Sequence, residues 1–168
     1  LWITGRAKDL IIRSGHNIDP ALIEEALAGH PSIAMAGAIG QPDEKTGEMP
    51  CAYVELNAGA SVTIEELLEF SNKHVPERAA RPKYIEIIDE LPKTAVGKIF
   101  KPQLRKLAIK RVYDEKLLED GLDVTVKEVL EDKKLGLTAH LNKATYDIDD
   151  MLIKKSLGNF IRPWTWSE

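Results

Sequence analysis

Two stretches of this sequence combine glycine, proline and cationic side chains in a way that suits phosphate chemistry. The first runs Gly5-Arg6-Ala7-Lys8-Asp9-Leu10-Ile11-Ile12-Arg13-Ser14-Gly15-His16-Asn17-Ile18-Asp19-Pro20, with Ile23-Glu24 following. The second runs Leu91-Pro92-Lys93-Thr94-Ala95-Val96-Gly97-Lys98-Ile99-Phe100-Lys101. Glycine lets a backbone take positive φ or approach a ligand closely. Lysine brings a mobile point charge to a phosphate. From Leu91 to Tyr113 there is no acidic residue, while Lys93, Lys98, Lys101, Arg105, Lys106, Lys110 and Arg111 all fall there. In a chain of net charge −4 this is a local basic stretch. It fits a small polyanion such as a nucleotide or coenzyme A, or else a solvated helix face. A lysine-rich helix start opposes the helix dipole, which favours the ligand.

Other reactive side chains carry less. His16 follows Gly15 and invites a general-base role, but no carboxylate partner is evident along the sequence. His30, His74 and His140 lie far apart and lack the spacing of zinc ligands, so no metal site is expected. Cys51, the one cysteine, follows Pro50 in an apolar run and reads as a small core residue. A lone cysteine excludes an intrachain disulfide and fits a reducing, cytoplasmic setting. The mildly acidic balance argues against nucleic-acid binding by bulk charge. No apolar run reaches the ~20 residues that span a bilayer. The chain opens on Leu1-Trp2-Ile3-Thr4 rather than Met, with no basic-then-apolar leader, and reads as a piece of a longer protein.

The elements that must position these loops follow from local pattern. Leu10–Ile12 is a β-branched run ending in the turn composition Ser14-Gly15-His16-Asn17. Asp19-Pro20 predicts a helix N-cap with proline at the first position, and Gly29 a stop. Residues 33–39 read as a buried strand, 41–50 as a loop, and 52–56 as a strand with Ala52, Val54 and Leu56 on one face. Thr63-Ile64-Glu65-Glu66 matches a capping box for a helix to about His74. Residues 76–82 form a loop, 83–88 a strand, and Pro102 begins a helix with the stripe Leu104, Leu107, Ala108 and Val112. Beyond it, alternation at 122–126 and 135–141 predicts a hairpin turning at Glu131–Lys134, then a helix over 146–157 and a tail with Trp164 and Trp166. The fold class is α+β: a small mixed sheet with packed helices over 1–111, and a helix–hairpin–helix extension over 112–168.

At its two glycine–lysine loops the sequence resembles the C-terminal domain of the adenylate-forming superfamily, which includes acyl-CoA synthetases. The Gly-Arg-x-Lys-Asp…Gly-x-x-Ile-x-Pro…Ile-Glu and Leu-Pro-Lys-Thr-x-x-Gly-Lys-Ile stretches occur in the family's order and separation, from Trp2 to about Arg111. The resemblance implies an acid–CoA ligase. A carboxylic acid attacks the α-phosphate of ATP, and coenzyme A then takes the acyl group from the adenylate. It implies a mobile lobe that works with its own N-terminal domain, a fatty or aryl acid, ATP, coenzyme A and Mg²⁺ whose ligands lie in that other domain. Lys98 matches the catalytic lysine of adenylation, and Lys8 the hinge. Arg6 matches an arginine near the nucleotide, and Gly15 a glycine lining the pantetheine tunnel. Asn17 stands where some relatives carry a phosphate-contacting arginine. Two alternatives are an adenylation domain loading a carrier protein, for which residues 112–168 lack a carrier signature, and a non-catalytic α+β binding domain.

Overall fold

The computed structural model describes residues 9–143 and 148–168. Lys8 and Arg6 lie outside the described residues. The chain divides into two compact units. The first comprises the described residues up to Gly40 together with Glu48–Leu104, and the second Gln41–Gly47 with Arg105–Glu168.

The first unit is built on a five-stranded mixed sheet in the order β2-β1-β4-β3, with β5 also paired to β4. The strands are β1 (Ile11–Arg13), β2 (His16–Ile18), β3 (Ile33–Asp43), β4 (Gly47–Leu56) and β5 (Tyr84–Ile87). β1 and β2 pair antiparallel with Arg13 opposite His16, whereas β5 runs parallel to β4. Strand pairing on both sides puts β4 at the centre. Cys51, Ala52, Tyr53 and Val54 are all fully buried, so both faces of β4 are covered along this stretch. Ala52, Val54 and Leu56 share the face that joins the first core, as expected, with Leu56 only partly buried.

Helix α1 (Pro20–Ala28) starts as its sequence predicts. The Asp19 carboxylate accepts from the Ala21 N–H, with Pro20 at the first position. It buries Ile23 and Leu27. Helix α2 (Ile64–His74) carries the capping box: the Thr63 N–H donates to Glu66 Oε2 and the Glu66 N–H to Thr63 Oγ1. The segment 76–82, expected as a loop, contains a short 3₁₀ turn at Arg78–Ala80 that buries Ala80. The expected loop over 41–50 is instead the end of β3, a turn and the start of β4. Asp43 Oδ2 accepts from the N–H groups of Lys45 and Thr46 and from the Thr46 hydroxyl, which closes the turn in three residues.

Helix α3 (Lys101–Glu119) begins in the first unit and ends in the second. The sequence-based division at residue 111 and the compact units therefore differ, because one unbroken helix serves both. Gln41 and Glu44 fall in the second unit. There Arg111 Nη2 donates to Gln41 Oε1 at 2.6 Å, and the Lys116 ammonium lies 4.0 Å from Glu44. The expected stripe on α3 is shifted: Leu104, Ala108, Ile109, Tyr113 and Leu117 are buried, while Leu107 is exposed.

The second unit has a three-stranded sheet in the order β6-β7-β8, with β6 (Val124–Asp132), β7 (Gly136–Lys143) and β8 (Trp164–Trp166), and a last helix α4 (Asp150–Leu157). The hairpin is antiparallel with an irregularity between Val126 and Glu128. One extra residue there flips the parity of the pleat, so Val124, Val126 and Val129 all reach the core. The Trp tail is not a loose end: β8 runs parallel to β7 with Trp164 opposite Ala139. The expected helix over 146–157 is seen from Asp150, capped by Asp149, whose carboxylate accepts from the Met151 N–H. Residues 146–147 of that expectation lie outside the described residues.

Candidate functional site

Leu91 and Ile99 set the two ends of the second glycine–lysine loop. Leu91 is buried. Ile99 packs at the backbone of Gly37, where an added Cβ would come within 3.1 Å of Ile99 Cγ2 and 2.8 Å of Leu104 Cδ1. Gly37 thus makes room for both side chains. Gly37→Ala is expected to lower stability by about 1–3 kcal/mol, as overpacking does. Thermal denaturation beside wild type measures it, and an unchanged melting temperature would mean that Ile99 and Leu104 move aside freely.

Between these anchors the chain folds back as a small hairpin. Lys93 and Ile99 form an antiparallel bridge. The Thr94 N–H donates to the Lys98 carbonyl at 2.6 Å, and the Lys98 N–H to Thr94 Oγ1 at 3.2 Å. The Gly97 N–H closes the tip on the Thr94 carbonyl at 2.9 Å, and the Phe100 N–H reaches the Pro92 carbonyl at 2.7 Å. Gly97 has φ +81°, a value that disfavours any side chain. The tip is fully presented to solvent, with Val96 80% exposed.

Its cations differ in their surroundings. The Lys93 ammonium lies 3.0 Å from Glu55 Oε2, and that same oxygen accepts from the Leu91 N–H at 2.9 Å. Lys101 pairs with Glu24 of α1 at 2.7 Å. Burial raises the Glu24 pKa above its ordinary value, and the hydrogen bond from Lys101 only partly opposes this. Lys98 is exposed, and no ion pair or hydrogen bond of its ammonium is found among the described residues. Further along α3, Lys110 pairs with Asp114 and Arg111 with Glu115. The basic stretch of the sequence is therefore not an open basic surface. Much of it is neutralised within each unit, and Lys98 is the cation held out at a glycine turn.

Glu55 titrates below the usual carboxylate range, held there first by the Leu91 N–H and then by Lys93, against some desolvation. A folded-state pKa below the ordinary 4.5 makes the carboxylate a source of stability above that pH, lost as pH falls through the lower folded value. Wild type is expected to melt higher than Glu55→Gln at neutral pH, with the gap closing as pH falls below 4.5 and through the lower folded value. Melting temperatures of the two proteins across that range check it. A gap independent of pH would assign the effect to shape rather than charge.

The first loop is a hairpin too. β1 and β2 are joined by Ser14 and Gly15 alone, with φ of +50° and +77°. Positive φ at both central residues is the type I′ turn that matches strand twist. An added Cβ on Gly15 would meet nothing within 4 Å. Two links tie the hairpin to the segment beyond α2. Arg13 Nη1 donates to the Ala79 carbonyl at 2.8 Å, and His16 Nε2 is hydrogen-bonded to Glu77 Oε1. Glu77 is the carboxylate partner that the sequence did not reveal for His16, because 61 residues separate them. Among the described residues no group of three or more His, Cys, Asp or Glu side chains is placed to hold a metal ion. No described helix is long and apolar enough to cross a membrane.

Comparison with known proteins places these two hairpins in context. Residues 22–98 match the family described as AMP-binding enzyme C-terminal domain. The marinolic acid–CoA ligase of a Pseudoalteromonas species is 44% identical over 146 residues, 86% of this chain and 22% of that protein. That match runs well beyond the first unit. The medium-chain fatty-acid–CoA ligase of Escherichia coli is 40% identical over 114 residues, 67% of this chain and 20% of that protein. Among solved structures, an acyl-CoA synthetase of Brucella canis superposes with a TM-score of 0.57 at 38% identity, over 64% of this chain and 20% of that one. The chain thus spans about a fifth of the length of these relatives.

Proposed function

Since this chain belongs to the AMP-binding enzyme C-terminal domain family, we propose that it is the mobile lobe of an ATP-dependent acid–CoA ligase. The observation that carries the reading is Lys98: an exposed lysine on a glycine-closed hairpin, without a partner among the described residues, in the family's own motif. An ammonium so presented meets the carboxylate and α-phosphate oxygens as charge develops between them, and stabilises that charge electrostatically. The acid attacks the α-phosphate, pyrophosphate leaves, and the acyl-adenylate remains. The coenzyme A thiol then displaces AMP, with its proton passing to solvent.

The remaining roles follow the resemblance. Lys8 is the hinge at which the lobe turns between the two steps, and Arg6 contacts the nucleotide. Gly15 lines the passage for pantetheine. Its partner is an N-terminal adenylation domain, which supplies the acyl pocket and the ligands for the Mg²⁺ that accompanies ATP. No step is assigned to that ion in this chain. A fatty acid is the proposed substrate, with aryl acids beside it, and ATP and coenzyme A as co-substrates place the reaction in the cytoplasm.

The test uses the chain joined to its adenylation domain. ATP, coenzyme A and a panel of fatty and aryl acids are supplied, and AMP, ADP and thioester are separated. The proposal expects AMP and acyl-CoA in equal amounts with at least one acid. Acyl transfer to a carrier protein instead of coenzyme A would make it a carrier-loading domain. No acid-dependent AMP at all would make it a binding domain.

A further inference from the structure

We propose that Glu55 is a positioning residue for adenylation: its carboxylate clamps the Leu91 peptide and the Lys93 side chain, and so fixes the base of the hairpin that presents Lys98. This rests on the reading of Lys98 given above.

The hairpin needs such a clamp. Two antiparallel segments joined by a short turn are marginal in water by themselves. Here the pairing amounts to one bridge and a few turn hydrogen bonds, with residues 94–98 exposed. Lys98 sits on a long flexible stem, so its head is placed only as well as its backbone is. Leu91 holds one end by burial and Ile99 the other by packing at Gly37. Neither contact fixes the direction in which the hairpin leaves the sheet.

Glu55 supplies that direction. It stands on the central strand β4, and both Leu91 N–H and the Lys93 ammonium converge on its Oε2 at 2.9 and 3.0 Å. The Lys93 ammonium also donates to the Leu91 carbonyl at 3.3 Å. These are charge-assisted contacts at half-buried side chains, stronger than neutral ones. From Lys93 the constraint passes to its neighbour Thr94, which holds Lys98 by two hydrogen bonds. Glu55 has a second effect. By neutralising Lys93, it leaves Lys98 as the cation that an incoming anion meets at this hairpin. Without the carboxylate, Lys93 keeps only the exposed Glu90 at 4.0 Å as an ion-pair partner among the described residues and, five residues from Lys98, competes more strongly for that anion.

The experiment uses the full-length ligase in five forms: wild type, Glu55→Gln, Lys93→Met, Lys98→Ala and Glu55→Gln with Lys98→Ala. Glutamine keeps an acceptor for the Leu91 N–H but loses the charge that holds Lys93. Acid-dependent ATP–pyrophosphate exchange reads adenylation, and thioester formation from supplied acyl-adenylate reads the second step. Glu55→Gln is expected to lower kcat for exchange about tenfold, as small displacements of a catalytic group do, with KM for ATP and acid nearly unchanged. Thioester formation should stay within about twofold of wild type, which also shows that the variant folds. Lys93→Met should match Glu55→Gln, and Glu55→Gln should add nothing in the Lys98→Ala background, because the two residues act as one unit. An equal fall in both half-reactions, a further loss added to that of Lys98→Ala, or unchanged exchange would each overturn the positioning role while leaving Lys98 in place. If Lys98→Ala itself leaves exchange intact, the reading of Lys98 fails and the proposal with it.

Discussion

Lys98→Ala in the joined enzyme is expected to lower acid-dependent ATP–pyrophosphate exchange by ~10²-fold or more, about 2.7 kcal/mol of barrier, while thioester formation from supplied acyl-adenylate continues. The asymmetry follows from the role proposed for the ammonium. In the first step an anionic carboxylate is driven onto an anionic α-phosphate, and on the proposed reading the lobe presents Lys98 to that centre for this step alone, so the cation acts on the adenylation transition state more than on the bound substrates. The structure also makes this variant easy to interpret. The Lys98 ammonium makes no hydrogen bond or ion pair among the described residues, and its backbone hydrogen bonds to Thr94 do not depend on the side chain. Its melting temperature should match wild type. Loss of exchange with unchanged stability then reports chemistry, whereas the same change at Lys93 or Lys101 would also break an ion pair. Lys98→Arg should not restore the rate, since a planar guanidinium on a longer stem places its charge elsewhere. If exchange and thioester formation are both unchanged in Lys98→Ala, the chain is a binding domain and its motif serves another purpose.

How legible this was in the sequence depends on the range of the interaction. Caps and turns are settled by neighbours, so Asp19-Pro20 and the Thr63–Glu66 box read directly as helix starts and are found so. The hairpin carrying Lys98 was visible as a motif for the same reason. What could not be read lies across the fold. The basic stretch from Lys93 to Arg111 looked open because the acids that neutralise its start, Glu55 and Glu24, lie 38 and 77 residues away. The Glu77 partner of His16 was hidden in the same way. Ala52, Val54 and Leu56 read directly as one face of β4 and pack in one core, but their spacing could not report that Cys51 and Tyr53 on the other face are buried as well. β8 was missed because three residues are too few to show a period, and only its pairing with β7 makes it a strand. The residues 41–50 misled through their glycine and prolines. Asp43 gathers the turn so tightly that the strands extend almost to it.

At Gly15, asparagine and alanine are expected to separate two reasons for a glycine. The turn needs positive φ at both Ser14 and Gly15. Alanine at φ +77° costs about 1–2 kcal/mol of backbone energy, whereas asparagine tolerates the left-handed region well. Space is no obstacle to folding, because a Cβ there meets nothing within 4 Å. Gly15→Asn should therefore keep the β1–β2 hairpin, with its Arg13–Ala79 and His16–Glu77 links, and a melting temperature close to wild type. If the open space beside Gly15 is the passage for pantetheine, the asparagine amide fills it. Thioester formation then falls by about tenfold or more while pyrophosphate exchange stays near wild type, the reverse of Lys98→Ala. If the glycine serves only the turn, asparagine leaves both half-reactions intact and alanine merely lowers the melting temperature. Opposite losses at the two hairpins would mean that each serves a different half-reaction. One small lobe must then present them in turn, which would give the hinge proposed at Lys8 its mechanical reason.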